Sequence, residues 1–369
     1  MFRKESEVDT IATRLSGDKK PMRNVMVTGG CGFIGSNFIN YFVRAHPEVT
    51  VFNVDKMDYC ANVNSVEKEV VDSGRYQFIR GNICTSDYML YIMKSCEIDT
   101  IVHFAAASHV DNSFGNSLSF TTNNIQGTHS LLECSRVYGK IEKFVHVSTD
   151  EVYGEVTQSQ SEGGFLNPTN PYAATKAGAE FLVKSYHISF GLPCIITRGN
   201  NVYGKYQYPE KVIPRFAMLR YFNMKLTIQG DGSNTRTFIH AEDVARAFDV
   251  IVTKGIIGEI YNIGSTTEVS VQDIAERVVR EVHAIQNPDS KEAIHVEDCI
   301  ERIRDRPFND TRYDIDTSKL IALGWKEEIP FDEGFSSTVR WYVQEALPSK
   351  FWTDIRMDIQ TEDVDHPKE

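Results

Sequence analysis

The sequence predicts an α/β fold in which a doubly wound parallel sheet is followed by a smaller C-terminal lobe. Three observations lead to this prediction: short apolar runs alternate with longer helical patterns from residue 23 to 198, a glycine-rich loop joins the first run to the first helix, and loops carrying Tyr, Pro and Arg become frequent after Arg198. Near-continuous apolar strands separated by helices are typical of a parallel sheet covered on both faces.

The predicted strands are short runs rich in β-branched and aromatic residues. In the first half they span residues 24–28, 49–54, 76–80, 100–104, 144–148 and 194–197. The second half predicts helices near 211–222, 241–254, 271–285 and 331–346, with short strands near 226–229 and 259–263. The chain therefore divides into a mobile extension (1–22), a nucleotide-binding domain (23–198), a substrate-binding lobe (199–346) and a polar tail (347–369).

Composition and charge exclude several classes of protein. The 369 residues are 41% apolar and 24% charged, which is enough to bury a proper core. The net charge of −12 argues against nucleic acid and anionic membranes as partners, because either polyanion would be repelled. Seven cysteines without a C-x-x-C pair favour the reducing cytoplasm, and ten histidines without a ligand-like cluster indicate no metal site. No apolar stretch approaches the roughly 18 residues that a membrane span requires.

The loop from Thr28 to Gly35 joins the first strand to the first helix. Gly29, Gly32 and Gly35 let the backbone turn tightly and approach a pyrophosphate, which the helix N-terminus attracts. Asp55 follows at the end of the second strand, about 20 residues past the last glycine, where an acid accepts a hydrogen bond from a ribose 2′-hydroxyl. The pattern predicts a Rossmann site that prefers NAD to NADP, since an acid repels a 2′-phosphate.

Tyr172 and Lys176 lie one helical turn apart, which places the phenol and the ammonium on one face of a helix. A neighbouring cation lowers the pKa of a phenol, so we predict that Tyr172 acts as a base. Tyr221 and Lys225 share this spacing, and we interpret that pair as a surface feature. The distinction rests on Pro171, a suitable first helical residue, and on the hydroxyl residues that end the preceding strand.

Asp150 and Glu151 come directly after the strand that ends in Ser148 and Thr149. Adjacent carboxylates in a loop are usually solvated charge. However, open α/β sheets bind their ligands at the carboxyl ends of the strands. Here the pair could supply one general acid and one general base.

The sequence resembles the nucleoside-diphosphate-glucose 4,6-dehydratases of the extended short-chain dehydrogenase/reductase family over residues 23–345. The motif with the highest specificity is Ser148-Thr-Asp-Glu-Val-Tyr-Gly154. The others are Asn170-Pro-Tyr-Ala-Ala-Thr-Lys176, Asn201-Val-Tyr-Gly204, Tyr208-Pro-Glu-Lys-Val-Ile-Pro214 and Asp305-Arg-Pro-Phe-Asn-Asp310. The resemblance implies Thr149, Asp150, Glu151, Tyr172 and Lys176 as catalytic residues.

The resemblance also implies contacts for both ligands. Besides Gly29, Gly32, Gly35, Tyr172 and Lys176, the NAD contacts would be Phe33, Ile34, Asp55, Lys56, Met57, Asp58, Asn82, Ile83, Phe104, Ala105, Ala106, Ala107, Ser108, Asn123 and Val202. The sugar-nucleotide contacts would be Ser108, Thr149, Asn201, Lys211, Val212, Ile213, Pro214, Arg236, Arg306 and Asn309. Arg and Lys suit a diphosphate because they donate charge-assisted hydrogen bonds.

The resemblance implies that the protein converts dTDP-glucose to dTDP-4-keto-6-deoxyglucose and that it forms a homodimer. Bacterial members usually carry Asp, Glu and Arg where this sequence has Asn82, Ala107 and Asn112. The segments 55–62 and 109–116 look closer to animal members and to plant rhamnose synthases, which take UDP-glucose. UDP-glucose therefore stays open as the substrate. Two rivals remain: an NAD-dependent epimerase, which has no evident task for the Asp-Glu pair, and a non-catalytic nucleotide-binding protein, which would have a broken Thr-Tyr-Lys set.

Overall fold

A computed structural model describes residues 21–156, 158–290, 294–304 and 314–352. Its centre is a seven-stranded parallel sheet in the order β10-β6-β5-β4-β1-β2-β3. The strands are β1 Asn24–Thr28, β2 Thr50–Asp55, β3 Tyr76–Arg80, β4 Thr100–His103, β5 Lys143–Thr149, β6 Cys194–Gly199 and β10 Ile260–Ile263. The order 3-2-1-4-5-6 is that of a Rossmann sheet, so the predicted fold class is confirmed.

Helices cover both faces of this sheet. They are α1 Phe33–Ala45, α2 Lys68–Asp72, α3 Ser86–Ser95, α4 Val110–Gly115, α5 Ser117–Phe120, α6 Gly127–Tyr138, α7 Pro171–Phe190 and α9 Ala241–Lys254, with a π-helical segment at Thr121–Gln126 and 3₁₀ turns at Val63–Ser65 and Asp150–Tyr153. Because successive side chains of a strand point to opposite faces, Val25 and Val27 pack with α1 and α9, whereas Met26 packs with α3, α6 and α7.

The second lobe has its own core around two small sheets. A three-stranded sheet has the order β11-β9-β7, and a two-stranded sheet pairs β12 with β8. The elements are β7 Asn201–Tyr203, α8 Val212–Tyr221, β8 Leu226–Gln229, β9 Thr235–His240, β11 Glu268–Ser270, α10 Val271–Gln286, a 3₁₀ turn at Val296–Cys299, β12 Ile300–Ile303, α11 Ser318–Ala322, α12 Phe331–Trp341 and a π-helical turn at Tyr342–Ala346. Its apolar core is formed mainly by α8, α10 and α12.

Two sequence predictions about the second half need correction. The strand near 259–263 and the helix near 241–254 were expected in the second lobe. Instead, β10 pairs with β6 in the main sheet, and α9 packs against α1 on one face of that sheet. Residues 347–352 were expected to begin a polar tail. Instead Phe351 and Trp352 pack against Trp341, and Asn62 donates a hydrogen bond to the Phe351 carbonyl at 2.6 Å. Among the described residues no helix is long and apolar enough to cross a bilayer.

Candidate active site

A cavity of about 1440 Å³ opens at the carboxyl edge of the main sheet and continues beneath the second lobe. Most residues implicated by the sequence line it. They are Gly29, Gly32, Phe33, Ile34, Gly35, Asp55, Lys56, Asp58, Ile83, Phe104, Ala105, Ala106, Ala107, Ser108, Asn123, Thr149, Asp150, Glu151, Tyr172, Lys176, Asn201, Val202, Lys211, Val212, Ile213 and Arg236.

A few implicated residues do not line the cavity. Met57, Asn82 and Pro214 lie outside its wall. The Asn82 carboxamide instead accepts a hydrogen bond from the Cys84 N–H at 2.9 Å, within its own turn. Arg306 and Asn309 lie outside the described residues.

The glycine-rich loop is closely packed at the start of α1. Gly29 has φ of +73°, and a Cβ added there would come within 2.7 Å of the Ala105 backbone. A Cβ on Gly35 would lie 2.5 Å from the Gly29 carbonyl oxygen. α1 begins after Gly32 without a capping side chain. The first N–H groups of this helix are therefore suited to bind an anion at the cavity wall.

Asp55 ends β2 beside this loop. Its two carboxylate oxygens accept hydrogen bonds from the N–H groups of Cys31, at 3.0 Å, and Met57, at 2.8 Å. Burial nevertheless raises the pKa of Asp55. Each oxygen keeps a lone pair that can accept a hydrogen bond from a hydroxyl group. Nearby, Lys56 pairs with Asp58 at 2.6 Å and donates to the Asn123 side chain at 2.9 Å.

Tyr172 and Lys176 lie near the start of α7, and both are buried. The Lys176 ammonium donates to the Val147 carbonyl at 2.6 Å, and burial lowers its pKa to about 8. Burial and the neighbouring Glu151 charge raise the pKa of Tyr172, although a hydrogen bond with Thr149 opposes them. The prediction of a lowered Tyr172 pKa is therefore wrong in this structure: burial and the carboxylates of Glu151 and Asp150 raise it, and Lys176 donates to the Val147 carbonyl.

Asp150 and Glu151 begin a 3₁₀ turn directly after β5, and their environments differ. Asp150 is only 3% exposed, and it accepts hydrogen bonds from Asn200 at 2.6 Å and Thr149 at 3.2 Å. Burial and the adjacent Glu151 charge raise the pKa of Asp150 to about 7. Glu151 is half-buried and accepts a hydrogen bond from the Asn170 side chain at 2.9 Å. Asp150 can thus hold a proton at neutral pH.

Two amides that hold these carboxylates were not identified from the sequence. Asn200 precedes the Asn201 that the resemblance indicated, and Asn170 was noted only as part of a motif. Nothing in the spacing shows which of two adjacent amides faces a carboxylate. Asn170 does carry a signal, since an Asn before Pro171 is a typical helix N-cap.

A buried ion pair lies behind the catalytic elements. Arg198 on β6 contacts Glu180 on α7 at 2.7 Å, and both side chains are at most 1% exposed. The Arg198 guanidinium also donates to the Tyr153 hydroxyl at 2.8 Å, and that hydroxyl donates to Asn262 at 2.9 Å. This network joins α7 to the turn that carries Asp150 and Glu151.

Basic residues lie on the second-lobe side of the cavity. Lys211 donates to the Ser108 carbonyl at 3.0 Å and so bridges the two sides of the cavity. Arg236 lies close enough to Asp150 to oppose the rise in its pKa. Arg215, which the sequence analysis missed, is buried and also lines the cavity. Three cations on one side of the cavity suit a diphosphate.

The parallel sheet, its glycine-rich loop and the Thr149–Tyr172–Lys176 set define a short-chain dehydrogenase/reductase of the extended type. A family model described as GDP-mannose 4,6 dehydratase matches residues 26–338. The chain belongs to this family.

Relatives are similar over most of the chain. The trifunctional UDP-glucose 4,6-dehydratase/UDP-4-keto-6-deoxy-D-glucose 3,5-epimerase/UDP-4-keto-L-rhamnose-reductase of Arabidopsis thaliana is 47% identical over 90% of this chain and 49% of its own length. This chain thus spans about half the length of such plant relatives. The dTDP-D-glucose 4,6-dehydratase of Homo sapiens is 42% identical over 87% of this chain and 90% of its own length.

Among solved structures, the dTDP-glucose 4,6-dehydratase of Streptomyces venezuelae, crystallised with NAD, has a TM-score of 0.81 to this chain. It is 35% identical, with 90% of this chain and 99% of the other chain covered. The resemblance seen in the sequence is confirmed.

Proposed function

We propose that this protein is an NAD-dependent nucleotide-sugar 4,6-dehydratase that converts dTDP-glucose to dTDP-4-keto-6-deoxyglucose. The observation that carries the proposal is the meeting of Tyr172 and Lys176 with Asp150 and Glu151 in one cavity. An epimerase of the same fold needs the first pair, but it has no evident task for two further carboxylates.

The residues around the glycine-rich loop fit NAD. The uncapped start of α1 suits the pyrophosphate, and the Asp55 carboxylate suits the ribose. Ser148 lines the cavity, and its buried hydroxyl has no hydrogen-bond partner among the described residues, so it is available to a ligand. When bound, NAD supplies a hydride acceptor that can return the hydride within one turnover.

The protein's own side chains would transfer protons to and from the sugar. Tyr172 would take the proton of the C4 hydroxyl as a phenolate, a form that burial and Glu151 disfavour in this structure and that the positive nicotinamide ring of bound NAD would favour. Thr149 and Lys176 would orient the substrate and the cofactor. The C4 ketone then acidifies the C5 hydrogen, which Glu151 removes as its carboxylate. Asp150, whose pKa lies near 7, donates its proton to the departing C6 hydroxyl, which leaves as water. The resulting enone gains a hydride at C6 and a proton at C5, which gives the 4-keto-6-deoxy sugar. The cations Lys211, Arg215 and Arg236 would hold the diphosphate.

Analysis of the product tests this proposal. Purified protein is incubated with dTDP-glucose, and the product is examined by proton NMR. A C6 methyl signal in a 4-keto sugar supports the dehydratase, whereas a 4-epimer with an intact C6 hydroxymethyl group would favour the epimerase. No turnover by folded, NAD-loaded protein would favour a non-catalytic nucleotide-binding protein.

UDP-glucose is the second candidate substrate, because the plant relatives that are 45–47% identical are named as UDP-glucose 4,6-dehydratases. The two nucleotides differ at the C5 methyl group of the base and at the ribose 2′-hydroxyl. Values of kcat/KM measured side by side for the two substrates decide between them. A ratio of ten or more in favour of UDP-glucose would reassign the substrate.

A homodimer through α6 and α7 is part of the proposal. Large apolar side chains on these two helices are exposed, among them Val137, Phe181, Ile188 and Phe190. Exposed apolar patches of this kind mark interaction surfaces. Ile188→Asp should convert a dimer to a monomer in light scattering, and a monomeric wild type would reject the dimer.

A cytoplasmic location is also proposed. All seven cysteines lie in described segments and are free thiols, as is usual for proteins of a reducing compartment. Cell fractionation tests this proposal, and recovery of the protein in a secreted fraction would reject it.

A further inference from the structure

Asn170 lies at the junction between the two pairs of catalytic residues. It is buried in an extended conformation and is the N-cap of α7, where its side-chain oxygen accepts a hydrogen bond from the Ala173 N–H at 2.8 Å. The nitrogen of the same amide donates to the Glu151 carboxylate at 2.9 Å. One side chain therefore joins the helix that carries Tyr172 to the turn that carries Glu151.

The chain around this contact is arranged so that the two elements meet. Gly154 ends the Asp150–Tyr153 turn with φ of +73°, and a Cβ there would lie 2.2 Å from the Asn167 carbonyl oxygen. The Asn167 N–H donates to the Val152 carbonyl at 2.9 Å, which brings the returning loop back to the turn. The Glu151 N–H is fixed by the Thr149 hydroxyl at 3.3 Å. Asn170 then fixes the other end of Glu151, its carboxylate.

We propose that Asn170 is a positioning residue that holds Glu151 as an ionised, oriented base for removal of the C5 proton. The proposal rests on the dehydratase function given above. The amide performs two tasks at once, because its oxygen caps the helix while its nitrogen donates to the carboxylate. The nearby N-terminus of α7 also favours a negative charge on Glu151.

Asn170→Asp separates the two tasks, because the aspartate has the same shape and remains a good N-cap but cannot donate to Glu151. Its charge also repels Glu151. We expect removal of the C5 proton to slow by about 10- to 100-fold, the size of one lost hydrogen bond to a charged group. Oxidation at C4 uses Tyr172 and should keep its rate. NADH absorbance should therefore rise at the wild-type rate and then persist.

The pH profile gives a second readout. A neighbouring negative charge raises the pKa of a carboxyl, so the acidic limb of kcat should move to higher pH in Asn170→Asp. A merely structural loss of the cap would not move this limb. Asn170→Ala, which loses both contacts, should show the same slow decay of NADH together with a lower Tm.

Asp99→Ala serves as the matched control. The Asp99 carboxylate accepts hydrogen bonds from the N–H groups of Arg23 and Asn24 at 2.8 Å, at the amino edge of the sheet and away from the cavity. This variant should lower Tm but leave the NADH time course unchanged.

Two outcomes would overturn the role of Asn170. One is a wild-type NADH time course in Asn170→Asp, and the other is equal slowing of oxidation and elimination. Failure of the underlying function is recognised separately, because the wild type would then form no 4-keto-6-deoxy product.

Discussion

Replacing Asp150 by Asn should stabilise the protein at alkaline pH while it removes the proposed general acid. The Asp150 carboxyl is 3% exposed, and its pKa rises from 3.8 to about 7 on folding because burial and Glu151 disfavour its charge. A raised pKa means that the folded protein binds the proton more tightly than the unfolded chain does. The free energy of unfolding should therefore decrease as pH rises from 4 to 7.

The magnitude follows from these two pKa values. Relative to a carboxyl that is protonated in both states, the raised pKa lowers the free energy of unfolding by about 2 kcal/mol at pH 5 and about 4 kcal/mol at pH 8. The isosteric amide has no such charge. The free energy of unfolding of Asp150→Asn, relative to the wild type, should therefore increase by about 2–3 kcal/mol between pH 5 and pH 8.

Urea denaturation of both proteins at pH 5 and pH 8 measures this change. Asp316→Asn provides the control, because hydrogen bonds from Ser318 lower the pKa of Asp316 below 3.8, and its effect should be constant over that range. If the free energies of unfolding of Asp150→Asn and the wild type differ by the same amount at both pH values, the inference that folding raises the pKa of Asp150 is refuted.

Asp55, Glu180 and Asp150 each give a further prediction. Asp55→Ala should weaken NAD binding about 10- to 100-fold, as expected for the loss of a hydrogen bond to a charged group, and an unchanged Kd in calorimetric titration would contradict the ribose role. Glu180→Gln should lower the free energy of unfolding, measured by urea denaturation, by about 3–5 kcal/mol, because it leaves the Arg198 charge buried and unpaired. Lys68→Ala is the control: it breaks an exposed pair with Asp72 and should lower the free energy of unfolding by less than about 1 kcal/mol. The kcat/KM of the wild type should fall as pH rises through about 7, where Asp150 loses its proton, and Asp150→Asn should show a much lower rate without this limb.

The main sheet was predictable because its strands are buried on both faces, which leaves continuous apolar runs such as Val25 to Val27. The strands β7, β9, β11 and β12 were missed. They have three to six residues, contain many polar side chains, and form sheets of only two or three strands. Their stability depends on packing against α8, α10 and α12, which no local pattern reports. The sequence also could not predict to which sheet β10 belongs, because an apolar run does not specify its partner strand.

The site was predictable where chemistry requires a fixed spacing, as in Gly29 to Gly35 and in Tyr172 with Lys176. Its electrostatics were not predictable. The rise in the pKa of Tyr172 depends on burial and on Glu151, which the fold brings close. The Asn170 amide reaches Glu151 because residues 158–170 lead back to the turn. The Asn200 amide reaches Asp150 because β6 ends beside β5.

Transfer of a label from C4 to C6 tests the proposed reaction most directly. The substrate is dTDP-glucose, or UDP-glucose if that is preferred, with deuterium at C4, and the product is examined by proton and deuterium NMR. Internal return of the hydride predicts that the deuterium appears in the C6 methyl group of the 4-keto product. Deuterium found at C4 of an epimerised sugar, or lost to solvent, would contradict the proposed dehydratase.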